Sequence, residues 1–203
     1  EKGKKGMSAF IVEVGCEGYE VAALEDKMGQ KCSEVAQLNF NNMKVPAENR
    51  LGEEGEGYKI ALSNLEGGRL SIAAQALGMA RKAIEEATAY AQDRQTFGKP
   101  ILEHQSVGFK LAEMNTKLEA ARLMTHRAAI MRQNKEKCLK EACMAKLMAT
   151  ETANEICHDA IQIFGGYGYV ADFPAERLYR DVRVCTIYEG TSDVQKMIIS
   201  RHL

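Results

Sequence analysis

Beyond Pro46, only Pro100 and Pro174 interrupt the chain. A proline inside a helix removes a backbone donor and clashes with the preceding turn. The long proline-free intervals are therefore where helices can run. Within one of them Val107, Leu111, Met114, Leu118, Ala121, Thr125 and Ala128 recur at alternating spacings of four and three. That is the stripe a helix turns toward a bundle, and antiparallel neighbours are expected. A charged break, Lys135-Glu136-Lys137, follows it. Leu139 to Phe164 then reads as a further helix rich in Ala, Met and Ile, its methionines serving as core filler.

The N-terminal quarter has a different period. Met7 to Val14 is a β-rich run closed by Gly15 and Gly18, Tyr19 to Leu24 forms a second, and Ala36 to Phe40 alternates before a turn at Asn41-Asn42. Pro46 and Gly52 punctuate the chain, and from about Gly57 the period becomes helical. The division is expected between residues 1–52, a small β piece, and residues 53–203, the helical region.

Charge and composition exclude several functions. The sequence has 27 Lys and Arg against 28 Asp and Glu, for a formal net charge of -1. No overall basic field gathers nucleic acid. Apolar stretches are broken well short of the ~20 residues a membrane span needs. Six cysteines lie scattered without a C-x-x-C pair, so no metal is expected and a reducing compartment fits. The opening Glu-Lys-Gly-Lys-Lys-Gly runs straight into a strand-like segment and looks like a cut end.

Three segments carry candidate chemistry. Thr96-Phe97-Gly98-Lys99-Pro100 and Phe164-Gly165-Gly166-Tyr167-Gly168-Tyr169 read as turns admitting close backbone approach, the second as a helix C-cap. It follows a helix with no βαβ unit around it, so a dinucleotide fingerprint is excluded. The third, Arg180 to Asp193, reads as a strand-like run ending at Glu189 and entering a helix capped by Thr191 or Ser192. Glu189 would then stand just before the helix's positive end, either as an oriented carboxylate or as a plain loop residue.

Taken in order, Lys44-Val45-Pro46-Ala47-Glu48-Asn49 with Leu51-Gly52, Arg94-Gln95-Thr96-Phe97-Gly98-Lys99-Pro100, Gln162 to Tyr169, Arg180-Asp181 and Ile187-Tyr188-Glu189-Gly190-Thr191-Ser192 resemble the acyl-CoA dehydrogenase family. The resemblance covers essentially the whole chain. It implies a mainly α fold: a C-terminal up-down four-helix bundle preceded by the last strands of a small β-domain, within subunits that usually form tetramers. One departure lies at Lys31-Cys32, where relatives commonly carry Arg-Gly.

The implied reaction is FAD-dependent α,β-dehydrogenation of a short, medium or branched acyl-CoA, with electrons passed to an electron-transfer flavoprotein. By resemblance Glu189 is the base for the α-proton. Some family members place the base on an earlier helix, directly before the Arg that corresponds to Arg69, but here that residue is Gly68. Glu66, Arg69, Gly190 and Arg201 correspond to substrate contacts. Glu66 and Arg69 could instead form a surface i,i+3 pair, and Arg201 a helix-dipole partner. FAD contacts are implied for Arg94, Gln95, Thr96, Phe97, Gln105, Gln162, Gly165, Gly166, Thr191, Ser192 and Asp193, some reaching it from a neighbouring subunit. His104 has no partner in sight. The resemblance sets the protein in a bacterial cytoplasm or a mitochondrial matrix. The alternative is a helical module that self-associates but binds no flavin.

Overall fold

The computed structural model describes Gly3–Leu203 as two compact units, one ending at Leu65 and the other spanning Glu66–Leu203. In the first, β2 (Tyr19–Leu24) and β3 (Ala36–Phe40) pair antiparallel with Tyr19 opposite Phe40, and the register shifts by a bulge between Val21 and Ala23. Both strands match the expected runs. The Met7 to Val14 run does not: only β1 (Ala9–Phe10) is strand, paired with β4 (Arg50–Leu51). A strand extends only as far as its partner can supply hydrogen bonds. Here the partner is bounded by a 3-10 turn at Ala47–Asn49 and by Gly52 at φ +67°.

Three long helices dominate the rest. α1 runs Gly57–Asp93, α2 Gln105–Gln133 and α3 Leu139–Phe164. α1 presents Ala73, Ala76, Ala80, Ala83, Ala87 and Ala91, all essentially without exposure, at spacings of three and four. Alanine is the best helix former and its short side chain permits close packing. On α2 the buried residues are Leu111, Met114, Leu118, Ala121, Thr125 and Ala128, with Val107 packed at the edge. The expected stripe is therefore the core face. Only Asn134 to Cys138 separate α2 from α3, so the two run antiparallel.

The fourth leg of the bundle is broken. α4 (Pro174–Val182) and α5 (Ser192–Ser200) both pack on α3, separated by a 3-10 turn at Arg183–Thr186 and an irregular turn at Ile187–Thr191. The strand-like reading of Arg180 to Glu189 is thus corrected to helix and 3-10 turn. Burial of Leu178, Val182 and Cys185 against the α-helical core sets a spacing of three and four that overrides the β-branched local preference. Pro174 begins α4 without losing a needed donor, and Arg180 grips Glu176 through two hydrogen bonds of 2.6 and 3.0 Å.

Met114, 1% exposed, sits in the middle of this core. Met114→Ala is expected to cost about 2–5 kcal/mol through lost burial and the cavity left behind. Urea denaturation checks it, and a loss below about 1 kcal/mol would contradict so central a position.

Candidate active site

The break between α4 and α5 carries the Glu189 turn. Within it Tyr188 donates its phenol to Gln75 Oε1 on α1 at 2.6 Å, with Cys185 Sγ at 3.6 Å. Burial, then the contact with Cys185, pushes the Tyr188 phenol well above its ordinary value. Glu189 (φ +54°) and Gly190 (φ +90°) are both left-handed, a conformation that costs a side-chain-bearing residue about 1–2 kcal/mol. The surroundings hold the turn. Gln195 Nε2 donates to the Glu189 carbonyl at 3.1 Å and to the Gly190 carbonyl at 2.8 Å, and Lys146 Nζ donates to the latter at 2.9 Å. Thr191 caps α5 by accepting from the Val194 amide at 3.3 Å, which leaves its own hydroxyl proton to donate elsewhere. Ser192 donates to the Glu151 carboxylate.

The Glu189 side chain points back at α1. Its Oε2 is buried and has no hydrogen-bond partner among the described residues. A Cβ built at Gly68 would lie 2.2 Å from that oxygen, so the missing side chain is what admits the carboxylate. A buried polar atom without a partner is uncommon enough to require an explanation, and an awaited reactant is one. The residue after Gly68 on α1, Arg69, is 7% exposed, and its Nε likewise has no hydrogen-bond partner among the described residues. That burial overturns the surface-pair alternative, and no Glu66–Arg69 ion pair occurs among the described residues. Glu66 instead accepts from Cys138 Sγ at 3.8 Å. Burial, then the nearby Glu66 charge, pushes that thiol up.

A second region gathers around the hairpin of β5 (Gln95–Thr96) and β6 (Lys99–Pro100). Phe97 (φ +50°) and Gly98 (φ +79°) form its tip, a left-handed pair suited to a two-residue hairpin, and Phe97 is 97% exposed. His104, expected to lack a partner, has one. Its Nε2 lies 2.8 Å from Thr96 Oγ1 and 3.3 Å from Thr96 O, because its place at the head of α2 turns the ring onto the hairpin. Arg94, Thr96, Gly165 and Gly166 line one cavity of about 570 Å³, walled by Tyr90, Phe164, Tyr167 and Phe173. Gly165 (φ +61°) caps α3, and a Cβ at either glycine would meet open space.

The other expected contacts are dispersed. Thr191, Ser192 and Asp193 line a separate cavity of about 330 Å³ with Glu151, Asn154 and Arg183. Gln95, Gln105 and Gln162 are exposed outside both, and Arg201 is an exposed C-cap of α5. Lys146, Gln195 and Gln75 escaped the sequence reading. Lys146 had a signal: it is a lone charge in the apolar face Ala142, Cys143, Ala145, Ala149 of α3. Gln75 had none.

Comparisons with known proteins identify the family. A sequence model described as "Acyl-CoA dehydrogenase, C-terminal domain" matches residues 55–203. The short-chain specific acyl-CoA dehydrogenase of Rattus norvegicus mitochondria is 49% identical over 98% of this chain and 48% of its own length. A Caffeyl-CoA reductase-Etf complex subunit of Acetobacterium woodii is 49% identical over 98% of this chain and 52% of its own. The structure of butyryl-CoA dehydrogenase from Megasphaera elsdenii superposes with TM-score 0.96 at 45% identity, covering 99% of this chain and 52% of that one. The chain spans about half the length of these relatives. By the match over residues 55–203, the chain belongs to the acyl-CoA dehydrogenase family.

Proposed function

We propose that the chain supplies the helical half of an FAD-dependent acyl-CoA dehydrogenase site, acting on a short, medium or branched acyl thioester. The single observation that carries this reading is the Glu189 carboxylate, held on a left-handed turn with one oxygen buried and unpartnered beside Gly68. Glu189 takes the α-proton at Oε2. A bound FAD would supply the acceptor for the β-carbon's hydride, and loss of that hydride with the α-proton would leave the double bond. Among the described residues no backbone acceptor takes the amide N–H of Glu189 or Gly190. Either can donate to the thioester oxygen as negative charge develops there. Arg69 Nε offers a further donor to the substrate.

The residues suit a flavin dinucleotide by their chemistry. Arg94 supplies a guanidinium fork for phosphate oxygens, Gly165 and Gly166 leave room for close approach, and the aromatic wall offers flat apolar surface. Thr191, Ser192 and Asp193 lie in the other cavity. With one set in each, we propose that two copies complete a flavin site across their interface. An electron-transfer flavoprotein is the proposed acceptor, in a mitochondrial matrix or a bacterial cytoplasm, and the Acetobacterium woodii relative bears such a partner in its name. Among the described residues no helix is long and apolar enough to cross a membrane.

The test is spectroscopic. The purified flavin-loaded protein is expected to be yellow at near one flavin per chain, and to bleach without oxygen when butyryl-CoA is added, yielding the enoyl product. A colourless protein that self-associates would instead support a non-catalytic helical module.

A further inference from the structure

Lys146 and Gln195 are both fully buried, and neither has a role in the chemistry above. Lys146 projects from the middle of α3, and Gln195 from the first turns of α5. Both converge on the Glu189 turn: the Gly190 carbonyl receives two donors, Lys146 Nζ at 2.9 Å and Gln195 Nε2 at 2.8 Å, while Gln195 also reaches the Glu189 carbonyl at 3.1 Å. Burying an ammonium is expensive, and an apolar side chain of similar volume often serves a fold equally well. A buried cation directed at one carbonyl of an irregular turn therefore asks for a local reason.

The turn supplies one. Glu189 and Gly190 are consecutive left-handed residues, and local preference alone would let Glu189 relax toward negative φ. Such a change would swing the Glu189 carboxylate away from Gly68. In a trans peptide the N–H points opposite to the C=O. Fixing the Glu189 and Gly190 carbonyls from the α3 and α5 side therefore also fixes the amides of Gly190 and Thr191 on the other side. The pair thus orients the carboxylate and, through the Glu189 carbonyl, the Gly190 amide.

We propose that Lys146 and Gln195 are positioning residues: a buried cation and amide that clamp the Glu189–Gly190 turn in its left-handed form and so aim the Glu189 carboxylate. The inference rests on the reading of Glu189 as the base. Lys146 lines neither of the two cavities described above, and it acts through the turn carbonyl.

The experiment is Lys146→Met in the flavin-loaded protein, followed by amide hydrogen exchange and steady-state kinetics. Exchange at residues 187–191 is expected to rise about tenfold or more while exchange in the adjoining part of α3 stays unchanged. With flavin content retained, kcat for butyryl-CoA is expected to fall ~100-fold, as for an approximately 1 Å misplacement of a reacting group, while KM stays within about threefold. Gln195→Leu is the second variant, should Lys146→Met fail to fold, and carries the same expectations. Unchanged exchange at the turn, exchange rising evenly through α3 and α5, or an unchanged kcat each overturns the proposal. Glu189→Gln run in parallel separates the two readings. If it keeps full activity the base assignment fails, whereas the exchange data judge the clamp regardless of which group is the base.

Discussion

Glu189→Gln is expected to abolish bleaching of the bound flavin by acyl-CoA, lowering the rate of reduction by about 10³-fold or more while leaving flavin content unchanged. A positioned general base contributes ~10²–10⁴ in rate, and an amide cannot take its place. At the lower bound the loss is about 4 kcal/mol of barrier. Structure argues that little else changes. Gln has the same length and volume, and the hydrogen bonds that hold the turn come to the backbone carbonyls of residues 189 and 190, not to the side chain. Removing a buried charge without a partner should cost the fold little. Anaerobic stopped-flow absorbance with butyryl-CoA makes the measurement, and bleaching at the unmutated rate would sink the assignment.

The α2 stripe and the bounds of α3 were legible because a long amphipathic period is a property of the chain itself. So was a cap at Thr191 or Ser192, which needs only the right side chain before a helical run; the structure uses Thr191. The Arg180 to Glu189 stretch was misread because its β-branched residues favour a strand locally, and only packing on α3 decides otherwise. At the site, the identity of Glu189 came from a motif, but its environment could not. Gly68 and Glu189 lie 121 positions apart in sequence, so their meeting depends on how α1 faces the broken fourth leg. The same holds for Gln75 with Tyr188. His104 shows the reverse error: its partner lies only eight residues away, yet the bond exists because β5 and β6 fold the chain back on itself.

The meeting of Gly68 and Glu189 makes Gly68→Ala the more discriminating substitution, because its expected effects on stability and on activity have opposite signs. Gly68 lies inside α1, where alanine is favoured over glycine by about 1 kcal/mol. The added methyl would stand 2.2 Å from Glu189 Oε2 and 2.6 Å from Cδ, distances no real Cβ tolerates. Something must move, and what stands there is the far end of a flexible side chain. A rotation of the carboxylate relieves the clash at small cost, so the helix gain survives in whole or in part. The thermal midpoint is expected to stay level or rise by up to ~2–4 °C. The displaced carboxylate is another matter, since a misplacement of about 1 Å in a reacting group costs ~100-fold in rate. Flavin content should stay constant, because Gly68 lines neither of the two cavities. A variant that melts no lower than the parent, stays yellow and reduces its flavin ~100-fold more slowly would show that the empty position at 68 serves the carboxylate and not the helix. Full activity would mean that the carboxylate does not need the place it occupies beside Gly68, and that its buried oxygen awaits no reactant there.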